Sequence, residues 1–211
     1  YSTLLGGSDE DGAAGKHGLA LDPAGRACVV GFTSSSDFPA TGHAFQRRYA
    51  GGTTGTWRET GDRFVAVVSA DGARLEAATL LGGNKRDGGE GIEVDSAGRI
   101  YLAGLTYSGD FPVTADALQS RYGGAARPHG PMWGGGDATV VVLSGDLRRL
   151  LYSTYMGGSG EDLFRACAVT PKGEIVLVGS TTSRDWPTKN AAQNAPAGGP
   201  DEIIVAKFRP R

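Results

Sequence analysis

The sequence predicts an all-β fold built from repeated units of four antiparallel strands, and three observations carry that reading. A phrase ending in Gly-Gly occurs three times: YSTLLGG at 1–7, AATLLGG at 77–83 and YSTYMGG at 152–158. Each is followed by a strand–turn–strand phrase: GLALDPAGRACVVGFTSSSDFP from Gly18, GIEVDSAGRIYLAGLTYSGDFP from Gly91 and ACAVTPKGEIVLVGSTTSRDWP from Ala166. An apolar run then closes each unit: RFVAVVSADG from Arg63, ATVVVLSGDL from Ala138 and EIIVAKFRPR from Glu202. A recurring multi-strand unit means a repeat architecture. The units run approximately 1–75, 76–150 and 151–211, within one domain spanning 1–211. Glycine supplies 35 of the 211 residues without a collagen period. Mixed with Val, Ile and Leu runs, that composition suits short strands joined by tight turns.

The second unit shows the elements most clearly. Residues 91–95 alternate apolar and polar, as a half-buried strand does. Asp95-Ser96-Ala97-Gly98 is a tight turn with glycine where positive φ is needed. Residues 99–106 form a β-rich strand. After a long loop, 139–144 is an apolar strand, and Gly145-Asp146 turns it into a strand over 150–156. Asp22-Pro23-Ala24-Gly25 and Thr170-Pro171-Lys172-Gly173 repeat the first turn, and Asp71-Gly72 the second. No segment has a sustained helical period, although 116–122 is compatible with a single helical turn.

Four antiparallel strands per unit, repeated, are the signature of propeller blades. The phrases YSTxxGG, GIxVDxxGxxYLxGxTxSxDFP and AFQ (Ala44 to Gln46, with ALQ at Ala117 to Gln119) closely resemble the bacterial SBBP-type β-propeller repeat over almost the whole chain. The resemblance implies a propeller and an exported bacterial protein, secreted, periplasmic or on the cell surface, with no defined reaction. The third unit departs from the pattern: Thr170 replaces the turn aspartate, DWP replaces DFP, and the long loop is abbreviated.

By analogy with other propellers, the GIxVD strand is innermost (A), followed by B, C and the outer strand D, which carries the Gly-Gly phrase. The order is then D-ABC three times. The chain begins with an orphan outer strand and ends with a blade that lacks one. Three blades fall below the roughly four to eight of closed propellers. An open fan exposes apolar faces and strand edges. The expectation is closure with a second copy, within a larger propeller, or against another protein.

Composition limits function. A formal charge of −2 gives no basic field for nucleic acid. No run of 18 apolar residues is present, so no transmembrane helix is expected. The chain opens without Met, inside a strand-like phrase, as a processed or excised segment would. Cys28 and Cys167 fall on different strands of the unit with no CxxC or Cys/His cluster, which favours two buried thiols over a metal site.

Candidate site residues fall in three groups. The D–A loops carry acids, and Asp9, Asp11, Glu161 and Asp162 are calcium candidates, because hard cations take several oxygen ligands. Solvated turn residues are the competing reading; no cofactor is otherwise expected. His17, Glu90 and Arg165 share one repeat position before strand A and should ring a channel mouth, as a ligand site or an ion-pair cluster. The B–C inserts, 40–62 and 113–137, differ most between copies and carry His43, Tyr49, Trp57, Tyr122, His129 and Trp133. Long loops on a rigid scaffold are where binding is usually found, and Tyr and Trp suit protein or sugar contact. Trp186 aligns with Phe38 and Phe111 and reads as core.

No GxSxG elbow, phosphate loop or haem motif stands in a suitable context. The expected function is a non-catalytic binding or scaffold module with a protein partner and a possible glycan ligand. The alternatives are a carbohydrate-active hydrolase or lyase using acids and His on the loop face, or a purely structural subunit.

Overall fold

The computed structural model describes residues 1–13, 17–51, 61–124 and 136–210. Among these there is no helix, and twelve strands form three unclosed antiparallel sheets. These are partial propeller blades. The first sheet contains β1 (Asp11–Ala13), β2 (Leu19–Leu21), β3 (Ala27–Thr33), β4 (Asp62–Val68) and β5 (Leu75–Leu81). β1 and β2 both pair with β3, so together they form one interrupted inner strand. The second contains β6 (Asp87–Val94), β7 (Ile100–Thr106), β8 (Asp137–Leu143) and β9 (Leu150–Met156), paired in that order. The third has only β10 (Asp162–Val169), β11 (Ile175–Thr181) and β12 (Glu202–Phe208). Residues 1–7 are in no strand.

The turns obey the sequence. Gly25, Gly98 and Gly173 hold φ of 77°, 76° and 74°. The side chain of Asp95 accepts the N–H groups of Ala97 (3.0 Å) and Arg99 (2.9 Å), and Asp22 does the same for Ala24 and Arg26. In the third sheet Thr170 Oγ1 substitutes, accepting from Glu174 N at 3.2 Å.

Two expectations need correction. The inner strand of the second sheet begins at Asp87, not Gly91. Gly88 and Gly89 read as loop, yet they sit in the strand because neighbours leave no room: a Cβ on Gly89 would lie 2.4 Å from Val30. Residues 116–122 form turns and bends rather than a helical turn. The backbone of Gln119 is committed to the outer strand, donating to Thr154 Oγ1 (2.9 Å) and accepting from Tyr155 N (3.2 Å).

The core lies between sheets. Cys28, Val30, Val65 and Val67 of the first pack with Ile92, Ile100, Leu102 and Val141 of the second. Tyr101, Ala103, Ala138 and Val140 of the second pack with Phe164, Ile175, Leu177 and Ile204 of the third. The second sheet therefore uses one face toward the first and the other toward the third. Both cysteines are free, and burial pushes their thiols up, Cys28 to about 11 and Cys167 to about 12.

Candidate functional site

A clasp recurs wherever an outer strand crosses to the next inner strand. In the second sheet Asp87 Oδ2 accepts from Gly83 N (2.8 Å) and Ser108 Oγ (3.0 Å), while Thr106 Oγ1 donates to Asp87 Oδ1. Asp162 does the same with Gly158 N, Ser183 and Thr181. In the first, Asp11 Oδ2 accepts from Gly7 N at 2.7 Å and Ser35 Oγ at 3.0 Å. The aspartate of the DFP or DWP phrase completes the clasp: Asp37, Asp110 and Asp185 accept from Ser8 N, Asn84 N and Ser159 N at 2.8–2.9 Å. Two calcium candidates, Asp11 and Asp162, thus have carboxylates turned onto the protein. Glu161 is buried with its N–H on Thr182 Oγ1 (2.7 Å), and Asp9 is exposed with its N–H on Ser35 Oγ (2.8 Å). Among the described residues no three His, Cys, Asp or Glu side chains converge.

The clasps of the second and third sheets meet the residue that opens β4 and β8 of the preceding sheet, Asp62 and Asp137. A Cβ on Gly82 would lie 2.6 Å from Asp62 Oδ1 and 2.7 Å from Asp87 Oδ2. Gly157 stands likewise against Asp162 and Asp137. All four carboxylates are fully buried. Asp62 and Asp87 are both pushed up to about 7, chiefly by burial. Asp137 is raised to about 6 by the same cause.

A pH dependence follows. Unfolded aspartate ionises near 3.8, so between about pH 4 and 7 the folded chain binds more protons than the unfolded one. Stability from this pair is therefore fully present below pH 4 and is lost as pH rises through 7. The expected loss is about 5 kcal/mol for the pair, about 2.5 kcal/mol from each acid, read from urea unfolding between pH 5 and 8. Asp62→Asn keeps an acceptor for Gln46 Nε2 and Ala50 N and should remove about half of that slope. An unchanged slope in this variant contradicts the assignment.

Glu90 and Arg165 occupy the register shifts of β6 and β10, where one extra residue bulges from the inner strand. His17 holds the same place in the first sheet, bridging to Gly91 and accepting from Ile92 N at 3.1 Å. The charges gather here. Glu90 is raised by burial, against the pull of Arg165, Arg86, Arg63 and His17. The cluster is a bulge position reached from three sheets, and the three residue types at one repeat position are its sequence signal.

The loop aromatics that are described turn inward. Tyr122 meets Tyr155 edge-on, centroids 5.9 Å apart, and Tyr49 packs against the cluster of Phe38, Phe64 and Leu80. His43 is exposed. Trp57, His129 and Trp133 lie outside the described residues.

Among the described residues the third sheet has no outer strand. In the first two sheets, glutamine clamps the outer strand: Gln46 Oε1 accepts from Gly82 N (3.1 Å) and Gln119 Oε1 from Gly157 N (2.9 Å). Their amide groups also donate to the carbonyls of Arg48 and Arg121. Gln193 repeats that donation, to Ala195 O at 2.8 Å, but its sheet has no outer strand to clamp. A cleft of about 290 Å³ lies there, lined by Trp186, Gln193, Pro196, Glu202 and Ile204. Trp186 meets Phe164 edge-on at 6.0 Å and is only half-buried, whereas Phe38 and Phe111 are buried in sheets that have all their strands. Beside the cleft, Ile203 is 80% exposed and Val205 70%.

The family model of a beta-propeller repeat, SBBP, matches residues 78–112, a stretch running from within β5 through β6 and β7 to the loop after β7. No curated protein matches the chain.

Proposed function

We propose that this chain, which carries an SBBP-type beta-propeller repeat, is a non-catalytic scaffold working outside the bacterial cytoplasm, in the envelope or beyond it, and making protein contacts through its blade edges. The observation that carries this reading is the third sheet. Among the described residues β12 has a strand partner on one side only, and Val178, Ile203 and Val205 are exposed on one apolar face. Unpaired backbone groups beside an apolar face form a template for strand addition. The described loop aromatics fill gaps within their own sheets, which shifts the contact surface from the loops to the edge. No helix among the described residues is long and apolar enough to cross a membrane.

A photo-crosslinking residue at Ile203 or Val205, in producing cells that are then fractionated, tests the reading. Protein adducts in the envelope or secreted fraction are expected. A chain confined to the cytoplasm, or one forming no protein adduct, overturns it.

A further inference from the structure

We propose that the point where the inner strands bulge is a binding site for a small oxyanion, a carboxylate or a phosphate group, taken between Arg165 and Glu90 with His17 at its rim. The site lies on the inner strands themselves and is independent of the edge contact above.

Three inner strands meet at Gly91. His17 bridges to it from the first sheet, and the His17 carbonyl accepts from Ile92 N at 3.1 Å. The third sheet closes in from the other side: a Cβ on Gly91 would stand 2.9 Å from Ala166 Cα and 3.2 Å from the carbonyl oxygen of Arg165. Beside this contact the inner strands of the second and third sheets each leave one residue out of the ladder. β6 passes from Gly89↔Gly104 to Gly91↔Ala103 and omits Glu90; β10 passes from Phe164↔Gly179 to Ala166↔Val178 and omits Arg165. In the first sheet the break between β1 and β2 contains His17. A bulged residue is released from the alternation of its strand, which is how bulges re-aim side chains. The neighbouring residues Gly18, Gly89, Gly91, Phe164 and Ala166 carry no charge, so the polar groups of this region are gathered at the bulges.

The place is open to a ligand. Arg165 and His17 are exposed, and Glu90 is half-buried. Its charges do not cancel. Glu90 feels Arg165 from β10, Arg86 from the segment before β6, Arg63 from β4, and His17, each through charge at a distance rather than a hydrogen bond. The other acids of β6 and β10 are engaged elsewhere. Asp87 accepts from Gly83 N and Ser108 Oγ, Asp162 from Gly158 N and Ser183 Oγ, and Glu93 from Val94 N. One carboxyl therefore stands among three guanidinium groups and an imidazole.

A closed internal ion pair would pull Glu90 below the usual carboxylate range. Burial instead keeps it raised against the pull of its four neighbours. A carboxyl that keeps its proton to higher pH can donate an O–H to an oxyanion while a guanidinium donates its N–H groups beside it. A cationic ligand meets three guanidinium groups there and is repelled. The bound oxyanion in turn favours the protonated form of Glu90. Binding therefore takes up a proton and strengthens as pH falls. Carboxylate and phosphate groups share this chemistry.

Calorimetric titration of the 211-residue chain at pH 6 and pH 8 tests the site. The probes are glucuronate, a carboxylate, and inorganic sulfate, a phosphate-shaped dianion; both keep their charge over this range. At least one should bind, the preferred probe telling a carboxylate site from a phosphate site, with a dissociation constant up to about 10-fold tighter at pH 6. Arg165→Ala, at an exposed position, should weaken binding at least about 10-fold with an unchanged circular dichroism spectrum. Glu90→Gln leaves an amide donor in place, so binding should persist and lose most of its pH dependence. Histidine also takes a proton in this range, so His17→Gln is run in parallel and should keep most of that dependence. Failure of both anions to bind at millimolar concentration, unchanged binding by Arg165→Ala, or an undiminished pH dependence in Glu90→Gln overturns the proposal. Each of these results would leave the edge-contact reading in place.

Discussion

Gly104→Ala is expected to destabilise the protein by about 3 kcal/mol or more, a large share of the roughly 5–15 kcal/mol by which a native domain is stable. The argument is steric. Gly104 lies in the middle of β7, and a Cβ there would stand 2.1 Å from the carbonyl oxygen of Gly88 and 2.6 Å from Arg63 Nη2. The first contact is with backbone, which has no rotamer to escape into. The position repeats: a Cβ on Gly31 would meet Gly12 O at 2.1 Å, and one on Gly179 would meet Leu163 O at 1.8 Å. In the second and third sheets the inner strand is bulged just beyond this point, at Glu90 and Arg165. The glycine accommodates the inner strand where it is pressed close before the bulge. Urea unfolding of Gly104→Ala beside Gly109→Ala checks this, because nothing lies within 4 Å of a Cβ on Gly109. Similar loss in both variants sinks the steric account.

The repeat made the strands and turns legible because both are written in local residues. Asp-x-x-Gly at 95–98 names its own turn, and the glycine does adopt positive φ. The offset of the strands was legible too, as the missing outer strand of the third sheet shows. Features that depend on contacts between segments distant in sequence were not legible in this way. The phrase Thr-x-Ser-x-Asp stands at 33–37, 106–110 and 181–185, yet it reads as the end of a strand. Its partners, Asp11, Asp87 and Asp162, become visible only when the inner strand is laid beside it. Leu147 is a second case. Sequence placed the turn at Gly145-Asp146, but the left-handed residue is Leu147, at φ 56°. Its side chain is fully buried in the core between the first two sheets, and its carbonyl accepts from Phe45 N at 2.8 Å. Tertiary packing there outweighs the backbone preference that favours glycine in the left-handed region.

The charge at Arg63 had a sequence signal that local reading passes over: its repeats are Ala138 and Ile203, so one unit in three puts a guanidinium where the others put an apolar group. Arg63 is fully buried between the first two sheets. Its Nη2 donates to Gly88 O (2.6 Å), Leu105 O (3.3 Å) and Thr139 Oγ1 (2.8 Å), and the guanidinium lies 5.6 Å from the ring centre of Phe111. Burial pushes it down to about 10, opposed by Asp87 and Glu90. Arg63→Ala removes the donor and empties the space together. It leaves three acceptors facing a cavity and the nearby acids without their cation, and should cost about 3–5 kcal/mol. Arg63→Met fills most of the volume with a group of the polarity found at Ala138 and Ile203, so it should recover more than half of that loss. Equal losses in the two variants would mean that the charge, not the packing, holds the junction. The Met variant carries a second signature. Without the guanidinium, Asp87 loses the positive charge that favours its ionised form, so the fall in stability from pH 5 to 8 should become steeper than in the native chain. A shallower fall would show that Arg63 does not act on Asp87 through its charge.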